Sequence, residues 1–399
     1  MTMTRSEELV YRLCAKSFLS LWSYPNPRGK KDKELCDILV VCDPDIVVFS
    51  VKEIIFRDTG DQVGLDRWRR DAIEKSYRQI AGAERWITQN HRVVTRDGRE
   101  GLILPQPRRV HRIAVALGGD GMVPLIFGDS GTGFVHVFDE RSLEIVMKEL
   151  DTITDFVDYL IDKEAYYYRG KLTLFDGGGE EDSLALYLAC DRSFPDEPDF
   201  IVLDGDLWET FSRDEHVVAE KKLDEVSYRW DEIIEEMHQT YLDGNLIKDM
   251  PHVSTELTDI EKSVRVMARE NRLSRRLLSQ SLVDFMETWD VEKLKARIAD
   301  SGISDTRYVF MASDYDGSRK ANMGELLGRC IVARGLNQSK TKVVGIGAEF
   351  SKLVPGSATS MVFLDIQEWT TEWQAQMDYQ QREFGYFTNA NPRPFFEQS

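Results

Sequence analysis

Residues Lys33 to Phe56 read KELCDILVVCDPDIVVFSVKEIIF. Two apolar runs flank Asp-Pro-Asp, residue types that close tight turns, so strands are predicted at about 34–42 and 46–56. Asp37 interrupts the first run, and the second ends in Ser50-Val51-Lys52. A carboxylate or ammonium within such a run loses hydration, which is costly unless the group is paired, hydrogen-bonded or bound to a metal. Side chains alternate faces along a strand, so Asp37, Leu39 and Val41 share one side, and Ser50 and Lys52 share one side of the next strand. If the two sides coincide, an acid, a hydroxyl and an amine form one cluster. An acid that can hold a divalent cation, next to a lysine that can stabilise a phosphate transition state or orient an attacking hydroxide, is the minimum for metal-assisted phosphodiester hydrolysis.

Upstream, SEELVYRLCAKSFLSLW (6–22) places Val10, Leu13, Ser17 and Leu21 near one helical face, with Ser6 as a plausible cap. On that helix Glu7, with Glu8 as its neighbour, could add a carboxylate, and Glu34 lies just before Asp37. Downstream, LDRWRRDAIEKSYRQIAGAERWITQ predicts a helix over about 65–89, VHRIAVAL a strand over about 110–117, and 139–164 a further amphipathic helix or pair of helices.

These residues resemble the PD-(D/E)XK, or restriction-endonuclease-like, nucleases. The match is Asp37, then thirteen residues on Ser50-Val51-Lys52, with a glutamate on the first helix (Glu7) and polar residues on the helix after the hairpin (Lys75, Gln79). The resemblance covers about residues 5–120. Here Ser50 stands where the family has its second acid, and the first strand of the family's meander is not evident between Trp22 and Glu34.

The resemblance implies an α/β fold with a restriction-endonuclease-like core of helix, antiparallel strands, helix and strand over 1–165. A mixed α/β, acidic accessory half would follow over 166–399. It implies a metal-dependent endonuclease in which Asp37 and Glu7 hold Mg²⁺ or Mn²⁺, Lys52 stabilises the transition state and Ser50 occupies the altered acid position. DNA is the expected substrate. Family analogy adds a role in defence against foreign DNA, with activity restrained by a partner protein or by homo-oligomerisation. A nuclease fold that has lost catalysis and serves as a binding or assembly module is the alternative.

Charge bears on the polyanion. The chain of 399 residues has a formal net charge of -18. Residues 1–115 carry 21 Lys and Arg against 16 Asp and Glu, a balance of +5; the remaining 30 against 53 give -23. A basic N-terminal part joined to an acidic remainder can bind phosphate locally while the whole resists indiscriminate association. Lys30 and Lys31 flank the Asp37 strand, and Arg67, Arg69 and Arg70 open the next helix, where backbone amides also favour phosphate. Lys75 and Gln79, four apart, share one helical face. Arg108, Arg109 and Arg112 are weaker candidates. Arg265, Arg269, Arg272 and Arg276 draw a stripe down a predicted helix that nearby acids could neutralise.

No apolar run approaches the ~20 residues of a membrane helix, and the opening MTMTRSEELV places two acids where a signal peptide needs its apolar region. No membrane association and a cytoplasmic location are expected. The five cysteines form no Cys-x-x-Cys pair and read as reduced, buried thiols. Two other motifs compete. RYVFMASDYDGS resembles the strand-Asp-x-Asp-Gly signature of haloacid-dehalogenase-like phosphotransferases, with Asp314 as nucleophile and Asp316 as acid/base. GDSGTG (128–133) lacks a recognisable histidine and aspartate to make a serine nucleophile, and GGDG (118–121) lacks the Lys-Ser/Thr of a phosphate-binding loop.

Overall fold

The hairpin of Ile38–Cys42 and Asp45–Glu53 supplies the second and third strands of a six-stranded sheet. A computed structural model describes residues 3–57, 62–119, 127–129, 131–242, 257–288, 295–314, 319–350 and 357–388. The fold is mixed α/β, and the chain divides into two compact units, Met1–Lys222 and Leu223–Ser399. The boundary expected at 165 falls within a helix, Ile153–Tyr168, that belongs wholly to the first unit.

The first unit begins with α1 (Arg5–Phe18), β1 (Ser23–Pro25), β2 (Ile38–Cys42) and β3 (Asp45–Glu53). Next come α2 (Gln62–Arg69), one π-helical turn (Arg70–Glu74) and α3 (Lys75–Gln89). A small hairpin of β4 (Arg92–Val94) and β5 (Glu100–Ile103) leads to β6 (Arg109–Leu117), β7 (Gly128–Asp129) and β8 (Phe134–Phe138). The unit closes with α4 (Glu140–Glu149), α5 (Ile153–Tyr168), β9 (Leu172–Asp176), α6 (Glu180–Ala189), β10 (Phe200–Asp204), α7 (Leu207–Arg213) and α8 (Glu215–Leu223). The cap of α1 is Thr4, not Ser6. Thr4 Oγ1 accepts from the Glu7 amide, and the Glu7 carboxylate accepts from the Thr4 amide.

The main sheet has the order β1-β2-β3-β6-β8-β7. Strands β1, β2 and β3 are antiparallel neighbours, while β3, β6 and β8 run parallel. Parallel neighbours need a crossover, which α2, the π turn and α3 supply between β3 and β6. A three-residue β1 therefore precedes the hairpin; its Ser-Tyr-Pro lies in too short a run for alternation to reveal it.

Both faces of this sheet are covered. Leu39, Val41, Ile46, Val48, Ala114 and Ala116 pack with Ile80, Ala83 and Ile87 of α3. On the opposite face Phe18 of α1 meets Phe156 of α5, ring centroids 5.1 Å apart, and Ser17 Oγ donates to the Met147 carbonyl of α4 at 3.1 Å. Strands buried on both faces read as continuous apolar runs, as β2 and β3 do. The two-stranded parallel pair β9–β10 is different: Leu172, Leu174, Phe200 and Val202 lie on one face and are about half exposed or more.

The second unit contains α9 (Tyr228–Leu242), α10 (Leu257–Ala268), α11 (Arg272–Glu287), β11 (Lys295–Asp300), β12 (Thr306–Asp314), α12 (Arg319–Leu336), β13 (Lys342–Phe350), β14 (Ser357–Asp365) and α13 (Thr371–Phe384). Its sheet is ordered β11-β12-β13-β14, with β12 and β13 parallel. Val309 and Met311 of β12 face α12, while Tyr308 and Phe310 point at Trp230 of α9. The arginine stripe does not run along one helix, because Asn271 caps a new helix at Arg272. Arg265 pairs with Glu261, Arg272 with Asp231, and Arg276 with Asp224. No helix among the described residues is long and apolar enough to cross a membrane.

Candidate active site

Sheet register brings the polar residues of the hairpin together. Ile38 pairs with Phe49, so one step further along the antiparallel ladder Asp37 stands opposite Ser50, and Lys52 follows two residues on along the same face. That face is the one α3 covers, so the helix supplies the next partner. Gln79 Oε1 accepts from Ser50 Oγ at 2.8 Å and from Lys52 Nζ at 2.7 Å, while Gln79 Nε2 donates to Asp37 Oδ1 at 3.4 Å. Lys52 Nζ completes the ring at 3.4 Å from Asp37 Oδ2. On β6, Ala114 and Ala116 lie opposite Ser50 and Lys52, and their small side chains leave the depth that this ring occupies.

Asp37 is nearly enclosed, its side chain 3 % exposed, whereas that of Lys52 is 28 % exposed. Besides Lys52, the carboxylate receives the Val51 amide at 2.5 Å. The buried carboxylate is thus held by a backbone N–H as well as by an ammonium. The lysine is therefore tethered at one side and open to solvent at the other, the arrangement needed to meet a phosphate oxygen.

A second acid stands beside Asp37, and it is Glu34. Desolvation, together with the negative charges of Asp37 and Glu7, lifts its carboxyl above the usual range, against a hydrogen bond from Asn26 that lowers it. Asn26 Nδ2 donates to Glu34 Oε2 at 3.0 Å and to Glu7 Oε2 at 3.4 Å. Glu7, the expected metal ligand on α1, thus serves as a helix cap and reaches the cluster through Asn26, without a direct bond to Asp37 among the described residues.

Asn26 was not legible as a site residue. It reaches the site because the chain doubles back: the Asn26 amide donates to the Asp37 carbonyl at 2.8 Å and the Leu35 amide to the Pro27 carbonyl at 2.8 Å. Its φ of 46° is left-handed, a conformation asparagine tolerates better than most residues. An asparagine ahead of Pro-Arg-Gly is the signal that could have marked it.

The basic candidates lie apart from this ring. Lys30 and Lys31 are in an exposed turn before β2. Arg67 and Arg70 are exposed on α2 and the π turn, and Arg69 is partly buried beside them. Lys75 and Arg70 both pair with Asp71, and it is Gln79 that turns toward the site. Arg108, Arg109 and Arg112 are structural: Arg108 donates to the Ile87 carbonyl, Arg109 clamps buried Asp45 and Arg112 clamps Glu84.

Among the described residues no three acid, histidine or cysteine side chains converge closely enough to hold a metal ion by themselves. The donors present are all oxygen: two adjacent carboxylates, Glu34 and Asp37, with a third in Glu7 behind Asn26. Such a set fits a hard cation of the magnesium type, which uses one or two carboxylates and keeps several waters. The mutual repulsion of the acids is what a cation would relieve. For the competing phosphotransferase motif, Asp314 ends β12 without a described side chain and Asp316 lies outside the described residues. Ser130 of GDSGTG and residues 120–121 of GGDG also lie outside them. No family model, curated protein or solved structure matches this chain.

Proposed function

We propose that the first unit is a metal-dependent nuclease that cleaves phosphodiester bonds of DNA, with its active site at Asp37, Lys52, Gln79 and the neighbouring acids. The observation that carries this reading is the register that sets Asp37 opposite Ser50 with Lys52 on the same face, closed by Gln79 from the crossover helix. Support also comes from the order of elements. A helix, three antiparallel strands, a helix and then a strand parallel to the third is the arrangement expected of a restriction-endonuclease-like core.

Each side chain has a part in that chemistry. Lys52 Nζ presents positive charge to the non-bridging oxygens of the scissile phosphate, where charge accumulates as the bond breaks. Gln79 Oε1, Asp37 Oδ2 and the Val51 carbonyl accept hydrogen bonds from the three N–H groups of the ammonium, so a phosphate oxygen would replace one of the two longer ones while Gln79 holds the amine in place. Asp37 anchors the amine of Lys52 and would offer oxygen to a cation. A divalent cation held there would supply further charge neutralisation and make water a stronger nucleophile at neutral pH. Lys30, Lys31, Arg67, Arg69, Arg70 and Lys75 would position the duplex through its phosphates and carry no sequence information by themselves.

A second reading has its own observation. Ser50 brings no charge to the acid position and is already satisfied by Gln79, as suits a nuclease fold retained for binding or assembly. The two separate when purified protein is incubated with supercoiled DNA, and in parallel with RNA, in Mg²⁺ or Mn²⁺. The nuclease reading expects DNA nicking that falls roughly 10²-fold or more in D37A and in K52A, each checked to be folded. No metal-dependent cutting, or cutting unchanged in both variants, overturns it.

A further inference from the structure

Position 50 leaves the cluster short of one negative donor, and another part of the chain makes up the difference. We propose that Glu34 takes the role of the acid missing at Ser50, so that a divalent cation is bound between the Glu34 and Asp37 carboxylates, with Asn26 as the residue that holds Glu34 and Glu7 in place. This rests on the metal-dependent reading above and specifies its ligands.

Three features lead there. The first is the fold of residues 26–37, in which the Asn26 amide is hydrogen-bonded to the Asp37 carbonyl, and Arg28 and Glu34 form a β-bridge. That doubling back delivers a carboxylate three residues before Asp37 to the same end of the sheet, although no strand alternation would place it there. The second is Asn26 itself. It is 6 % exposed, and while its Nδ2 spans the Glu7 and Glu34 carboxylates, its Oδ1 is buried with no hydrogen-bond donor. A buried amide oxygen without a donor costs about 1–3 kcal/mol, and an electropositive partner at the cluster would remove that cost. The third is charge. Glu7, Glu34 and Asp37 together face one ammonium, Lys52, among the described hydrogen bonds and ion pairs, and Lys52 is bonded to Asp37 alone of the three.

Asparagine suits this position better than a further acid would. It satisfies two carboxylates through N–H donors without adding to their repulsion, and neutral oxygen is a normal donor to hard divalent cations. Two carboxylates completed by waters would make up a set that magnesium and manganese accept.

Binding of Mn²⁺ to the full chain without DNA, read by the electron paramagnetic resonance signal of free Mn²⁺ and by calorimetry, tests this apart from activity. Wild type is expected to bind one Mn²⁺. E34Q, which removes one charge at constant size, and N26G, which removes the carboxamide while suiting the left-handed backbone, are each expected to weaken binding 10-fold or more, as is D37N. S50A is expected to stay within about twofold of wild type. Metal-free thermal unfolding shows which variants are folded; a loss in folded E34Q sustains the inference, and a loss in folded N26G stands in for it only where E34Q does not fold. Wild-type affinity in the variant that decides, with binding lost in D37N, overturns the role of Glu34 and leaves the metal-dependent reading standing. A wild-type chain that binds no Mn²⁺ overturns both.

Discussion

Gln79 is the residue on which the geometry of the amine depends. It accepts from both Ser50 and Lys52, so its replacement by leucine leaves a buried hydroxyl and a half-buried ammonium without their common partner. We expect Q79L to cost about 1–3 kcal/mol of stability and to lower the cleavage rate with little change in substrate affinity, because it misplaces Lys52 without removing its charge. Denaturant unfolding beside single-turnover cleavage measures both. Strand alternation put Asp37 on one face and Ser50 with Lys52 on another without saying that the two coincide, and Gln79 came in through the resemblance together with Lys75, which pairs with Asp71 instead. Asn26 was not legible, and Glu34 was legible only as a nearby acid. Both arrive through a turn whose left-handed residues, Asn26, Lys31 and Asp32, follow no period.

At the scale of elements, β8 and α5 bury a titratable pair that does not take part in the proposed chemistry. His136 is fully enclosed, its Nε2 3.0 Å from Glu164 Oε1, and desolvation, opposed by Glu164 and reinforced by the charges of Lys163 and His111, pushes its pKa down to about 4. The unfolded chain, in which histidine titrates near 6.5, therefore binds more protons between pH 6.5 and 4. Stability contributed by neutral His136 is present above pH 6.5 and is lost as pH falls toward 4, about 3 kcal/mol in all. Unfolding free energies across that range are expected to drop steeply in wild type and less so in H136Q; equal slopes would show that other groups set the dependence. The strands and long helices were largely legible, since apolar runs and amphipathic spacing follow directly from burial. The π turn at Arg70–Glu74, the short β1 and the hairpin β4–β5 were not, because none is long enough to show a period. The open face of β9–β10 was misleading in the opposite sense, its apolar residues being exposed where such runs ordinarily mark a core.

For the molecule as a whole, the charge asymmetry and the two compact units suggest a division of labour. The basic stretch, residues 1–115, lies within the first unit, and so does every residue of the proposed site. The fragment 1–222 is accordingly expected to unfold as one cooperative transition and to keep metal-dependent cleavage, with a rate that declines steeply with salt because phosphate contacts release counterions. A fragment that folds but neither binds nor cuts DNA would move the function to the acidic remainder. The sequence boundary at 165 falls inside α5, and the compact unit runs on through β9, the glycine run at 177–179 and α6 to Lys222.

The central claim is that Asp37 and Lys52 share a cation and a phosphate at one site, and manganese-edge diffraction from crystals grown with Mn²⁺ and a short DNA duplex tests it most directly. The account expects an anomalous peak at coordinating distance from Asp37 and Glu34, with a backbone phosphate within hydrogen-bonding reach of Lys52 Nζ. A bound duplex with its phosphates elsewhere and no peak beside Asp37 would contradict it.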